Sequence, residues 1–152
     1  ILASSCDLIV ASEDARFSDR TVRWGGPHVQ FVSLPWEIGI RKAKEYLFTG
    51  DWMSAHEAER LGLVNRVVSR DKLEEETMKL AQRIALQDPF ALRLSKASLN
   101  QVQDQMGYRN SMMSGFHNHA LGLSHRRELA GDERVTSIDR ARNRDKKFGD
   151  GG

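Results

Sequence analysis

The sequence holds a single cysteine, Cys6, in 152 residues. That excludes an internal disulfide framework and a cysteine-built zinc cluster. No apolar run approaches the roughly 18 residues that a membrane-spanning helix needs. Net charge is also scarce. Lys and Arg number 23 against 21 Asp and Glu, a balance of +2, too little to make the whole chain a polyanion binder. There is no internal repeat and no low-complexity tract. The remainder has the composition of an ordinary globular chain, 39% hydrophobic and 29% charged. It offers room for one domain with a sizeable core, and the cytosol is the default compartment.

The chain opens inside a hydrophobic segment, Ile1-Leu2-Ala3, without Met and without a signal-peptide charge pattern. It reads as a piece of a longer protein, because terminal residues seldom carry core density. Leu8 to Ala11 reads as a buried strand and Ala15 to Ser18 as a second short one. Two early strands are too few for a normal sheet, so their partners are expected upstream. A helix is expected from a Ser33 cap to Gly50, with Pro35 in its first turn and Ile38, Ala43 and Leu47 on one face.

Ser54-Ala55-His56-Glu57 is a capping box that starts a short helix ending at Gly62. Leu63 to Val68 reads as a strand and Asp71 to Gln87 as a helix. Asp88-Pro89 caps the next helix, to about Val102. Met106 to Leu129 reads as the last, weakened by three interior glycines, each costing about 1 kcal/mol against Ala.

The stretch from Leu47 to Val68, LFTGDWMSAHEAERLGLVNRVV, resembles the signature of the enoyl-CoA hydratase/isomerase (crotonase) superfamily. In that family a helix ends in Leu-x-Thr-Gly, and a Ser-Ala-x-Glu-Ala helix and a Gly-Leu-Val strand follow. Ala3 to Ala11 is similar to its strand after the oxyanion-hole helix, and Arg144-Asp145-Lys146-Lys147-Phe148 to its basic C-terminal helix. The resemblance implies the C-terminal portion of a crotonase-like subunit. The implied fold class is α/β, a remnant of a ββα spiral over 1–70, a helical trimerisation region over 71–148 and a disordered tail over 149–152. It also implies an acyl-CoA ligand, with coenzyme A as part of the substrate and no permanently bound cofactor. The expected assembly is a trimer or a dimer of trimers. The implied chemistry is an enolate stabilised by backbone amides.

By that resemblance the family's two catalytic glutamate positions fall on Ile1 and Thr21. Neither exchanges a proton at neutral pH. Two nearby residues could supply an acid or base: Asp19, and His28 after Gly25-Gly26-Pro27. Each also has a plain structural reading, Asp19 as a turn or cap carboxylate and His28 as a surface-loop histidine. Arg142, Arg144, Lys146 and Lys147, with Phe148 beside them, are candidates for the phosphates and nucleotide of coenzyme A. The alternative is a solvated helix face.

Other features are weaker. His117 and His119 lie about 200° apart on a helix, so they cannot share a metal, and no zinc spacing is complete around His125. Cys6 reads as a small core residue, and Trp24, Trp36 and Trp52 as core or interface residues. Nucleic-acid binding through the basic end is a poorer fit, since no aromatics interleave the charge. Two function classes stay open. One is an acyl-CoA enzyme catalysing hydration, double-bond isomerisation or another enolate step. The other is a non-catalytic crotonase-like binding or oligomerisation module without the two glutamates.

Overall fold

The computed structural model describes residues 2–23 and 32–130, with Asn143, Lys146 and Lys147. Four short strands and six helices follow in the order β1 (Val10–Ser12), β2 (Arg16–Phe17), α1 (Leu34–Ile38), α2 (Ile40–Thr49), β3 (Met53–Ser54), α3 (Ala55–Leu61), β4 (Arg66–Val68), α4 (Leu73–Ala85), α5 (Pro89–Gln105) and α6 (Tyr108–Ala130).

The strands find partners within the chain, contrary to the expectation that these lie upstream. β1 pairs with β4 in parallel, Val10 opposite Arg66 and Ser12 opposite Val68. β2 pairs with β3 antiparallel, Phe17 opposite Met53. A parallel pair requires a long crossover, and here β2 through α3 provide it. Successive turns of a ββα path therefore lay β4 beside β1.

Asn65 extends that pairing by one step. Its amide donates to the Ile9 carbonyl at 2.9 Å, and its Oδ1 accepts from the Ile9 amide at 2.8 Å. The outward amide of Val67 donates to Glu59 Oε1 at 3.0 Å. Backbone groups that the narrow sheet would leave open are thus paired by side chains.

The core lies between these strands and the first three helices: Ala11, Ile38, Ala43, Met53, Ala55, Ala58, Leu63 and Val64. Ala55 and Ala58 are fully buried, and their small side chains let α3 approach the strands closely. The Ser54 cap forms as its spacing predicts, its Oγ accepting from the Glu57 amide at 3.2 Å. The Glu57 carboxylate turns forward to Arg60 at 2.6 and 2.7 Å. Gly62 closes α3 at φ 94°, and Asp88 caps α5 by accepting from the Ala91 amide at 2.7 Å.

Four expectations are corrected. The helix from Ser33 to Gly50 breaks at Gly39, whose φ 77° and ψ 153° are accessible only to glycine. Ser33 is buried but makes no side-chain cap. The first strand begins at Val10, and Leu8 is exposed. Cys6 is exposed too: it follows a 3-10 turn at Ala3–Ser5 and lies outside the core.

Among the described residues, helices α4 to α6 contribute none to this core. α4 packs along β1, and α5 against α6. α4 and α5 contain no buried residue. Trp36 of α1 meets Tyr108 at the start of α6 edge-on, with ring centroids 5.2 Å apart.

Candidate functional site

The turn after β2 carries the residues that sequence reasoning singled out. Asp19 Oδ1 accepts twice from Thr21, from its amide at 3.0 Å and from its hydroxyl at 2.6 Å. Both donors of Thr21 are therefore committed to one carboxylate oxygen, which fixes the orientation of Asp19. The turn closes with the Arg23 amide donating to the Arg20 carbonyl at 3.0 Å.

Asp19 lines a cavity of about 280 Å³. Its polar wall includes Ser4, Ser18, Ser33 and Asp51, and its apolar wall Phe17, Leu34, Leu47, Trp52 and Met53. The segments that meet here are the 3-10 turn, β2 and its following turn, the entry to α1, the end of α2 and β3. An apolar cavity with a few convergent polar groups is the usual form of a small-molecule site. Tyr46 also lines it. Burial, with the Glu57 charge next, raises its hydroxyl above the ordinary tyrosine value, so it stays a neutral donor.

The structure places the other candidates unevenly. Thr21 is half-buried next to Asp19. Ile1, His28, Arg144 and Phe148 lie outside the described residues, as do Trp24 and the tail over 149–152. Lys146 and Lys147 are exposed. Among the described residues no group of three His, Cys, Asp or Glu side chains is placed to hold a metal ion. No helix among them is long and apolar enough to cross a membrane.

Several residues of the site escaped sequence reasoning. Trp52, read as core or interface, is 44% exposed and forms part of the cavity wall. Arg20 sets its guanidinium over the Trp52 ring, 5.4 Å from the centroid. Arg23 is buried and reaches Thr49 and Asp51. These partners are 26 and 28 residues from Arg23 in sequence, so no local spacing announces them. The Thr49-Gly50-Asp51 motif was the available signal.

Comparison with known proteins identifies this architecture. The family model described as enoyl-CoA hydratase/isomerase matches residues 1–121. The chain is 43% identical over 132 residues to a putative enoyl-CoA hydratase, EchA13, of Mycobacterium tuberculosis, covering 86% of this chain and 42% of that protein. It superimposes on a probable enoyl-CoA hydratase of Mycobacterium smegmatis with a TM-score of 0.79 and 46% identity, over 82% of this chain and 51% of the other. An enoyl-CoA hydratase/isomerase of Xanthobacter autotrophicus Py2 gives a TM-score of 0.80 at 29% identity, over 97% and 56%. The chain thus spans about half the length of these relatives.

These findings correct one expectation and secure another. The reading as a C-terminal fragment alone is not upheld, since the family match covers residues 1–121 of the 152. The family model takes in most of the chain, from the strand core through α5 and into α6. It stops before Arg144–Phe148, so that part of the resemblance gains no support from it. The α/β crotonase-like fold, strands first and helices after, is the observed one. The chain belongs to the enoyl-CoA hydratase/isomerase family.

Proposed function

We propose that the protein binds an acyl-CoA thioester in the cavity beside Asp19 and acts on it through an enolate stabilised by backbone amides. The reaction would be hydration or double-bond isomerisation. The observation that carries this is the cavity itself: an apolar chamber bordered by the Ala3–Ser4 turn and by a carboxylate, Asp19, held in one orientation by Thr21. Family membership supplies the thioester as ligand class. Asp19 is the proposed proton-transfer group, with His28 as the second. The phosphates of coenzyme A would meet Arg144, Lys146 and Lys147, with Phe148 at the nucleotide. Residues 1–70 would form the spiral core and 71–148 the helical region, through which copies assemble as trimers or a dimer of trimers. The exposed apolar side chains of α5 and α6, among them Leu94, Leu99 and Phe116, suit such a contact.

A second reading has an observation of its own. The Thr21 hydroxyl is committed to Asp19, at a position that the resemblance to the family would assign to a glutamate. A crotonase-like module that binds thioesters without turning them over would carry the same feature. One experiment separates the readings: hydration and isomerisation assays over a panel of enoyl-CoA thioesters, with Asp19→Asn beside the parent. Catalysis predicts turnover that falls by about 100-fold or more in Asp19→Asn, the usual scale for a general acid or base. Thioester binding without turnover would select the binding module, and no binding at all would reject both.

A further inference from the structure

One buried side chain ties the Asp19 turn to the stretch between α2 and β3. Arg23 is 4% exposed, and a guanidinium that deep needs its donors satisfied. Its Nε donates to the Thr49 carbonyl at 2.7 Å, and its Nη2 pairs with the Asp51 carboxylate. The Gly50 backbone passes over its stem. A Cβ at Gly50 would stand 3.0 Å from both Cγ and Nε of Arg23 and 3.2 Å from Cδ. Gly50 also has φ +66°, so conformation and space both disfavour a side chain there. Ser18 adds a parallel tie, its hydroxyl donating to the Gly50 carbonyl at 3.1 Å.

The two segments joined in this way both line one cavity: Ser18 and Asp19 from the turn after β2, and Asp51, Trp52 and Met53 from the stretch into β3. Arg23 is buried while the Asp51 side chain is 58% exposed, so the pair adds little net stability, but holding a buried guanidinium by fixed partners can make a geometry specific. A planar guanidinium can grip a carbonyl and a carboxylate at once. An ammonium on a flexible stem cannot hold both in a fixed relation.

We propose that Arg23 is a positioning residue that sets the spacing between Asp19 and the Trp52 wall by gripping Thr49 and Asp51 beneath Gly50. The inference rests on reading the cavity as the thioester site. Arg23 touches no substrate in this account and acts through the two segments.

Arg23→Met and Arg23→Lys test it in the enoyl-CoA assay, with kcat and KM read separately and kcat scaled to folded protein. Arg23→Met should lower kcat by about tenfold or more while KM stays within about threefold, the pattern of a lost transition-state alignment. Arg23→Lys should recover part of the loss. An unchanged kcat per folded molecule, with only a lower thermal midpoint, would make Arg23 scaffold and overturn the proposal. A second readout needs no turnover. With Trp24→Phe and Trp36→Phe leaving Trp52 as the only tryptophan, acrylamide quenching should rise by about half or more in Arg23→Met as the wall loosens. Unchanged quenching overturns the latch. A parent chain that turns over no thioester, together with raised quenching in Arg23→Met, rejects the thioester reading and retains the latch.

Discussion

The strand core and the helices that follow it use their apolar residues in opposite ways. From Ala11 to Val64 the chain buries Ile38, Met53, Leu63 and Val64 against its own strands and helices. From Leu86 onward the large apolar residues Phe90, Leu94, Leu99, Met106, Met113, Phe116 and Leu121 remain exposed. Both regions contain amphipathic helices and both are capped. The first has a counter-surface within the same chain, and α5 and α6 present theirs outward. The difference shows that a periodic apolar pattern specifies a helix without specifying what the helix packs against.

The sharpest way to break that contrast is a matched pair of truncations. Ile38→Ala should cost about 2–5 kcal/mol in denaturant unfolding, the range for a buried aliphatic side chain. Leu99→Ala, at a site 68% exposed, should change monomer stability by less than about 0.5 kcal/mol. Equal losses would mean that α5 has a covered face and that the contrast fails.

Asn65→Ala probes how the core closes its backbone. It removes the acceptor of the Ile9 amide at an exposed position, where water can replace it in part, and it should cost about 0.5–1.5 kcal/mol. A change with no effect on unfolding would show that this amide is satisfied in another way. Asp88→Ala tests the helical region on its own terms. Loss of the cap to Ala91 should remove about 1 kcal/mol, measured as a fall in helical circular dichroism on heating. An unaltered profile would mean that packing, rather than the cap, holds the start of α5.

The smallest expected effect lies at the seam between the regions. Burial raises the Glu37 carboxyl above its ordinary 4.5. A group whose folded value is raised favours the folded state most below the unfolded value, and that contribution is lost as pH rises through the window above it. Glu37→Gln should therefore raise the thermal midpoint near neutral pH, with the gain fading at about pH 4, where the parent is protonated in both states. A gain of the same size at both would remove burial as its cause. Tyr108, raised by burial and then by the Glu37 charge, packs beside it against Trp36. The seam is thus one place where the two regions meet.

Local signals were the readable part of the fold. Ser54, Gly62 and Asp88 end or begin helices through contacts within a few residues, and all three act as their spacing predicts. The break at Gly39 was not readable in this way, because the face formed by Ile38, Ala43 and Leu47 runs through it without a change of period. The parallel pairing of Ile9 with Asn65 spans 56 residues, beyond the reach of any window. At the site, Asp19 was accessible because Thr21 stands two residues away. Arg23, Gly50 and Trp52 were not, because their roles arise from contacts between separate turns of the chain.

The order of residues alone determined where the helices cap and stop, which segments extend, and which family signature the chain carries. Each depends on hydrogen bonds or side-chain spacings closed within a turn or two. Only the tertiary structure decided that β4 returns beside β1, that an arginine lies beneath Gly50, and that Asp19 and Trp52 face one cavity. Those outcomes depend on excluded volume and on the pairing of buried polar groups between segments far apart in sequence, which exist only once the chain has closed on itself.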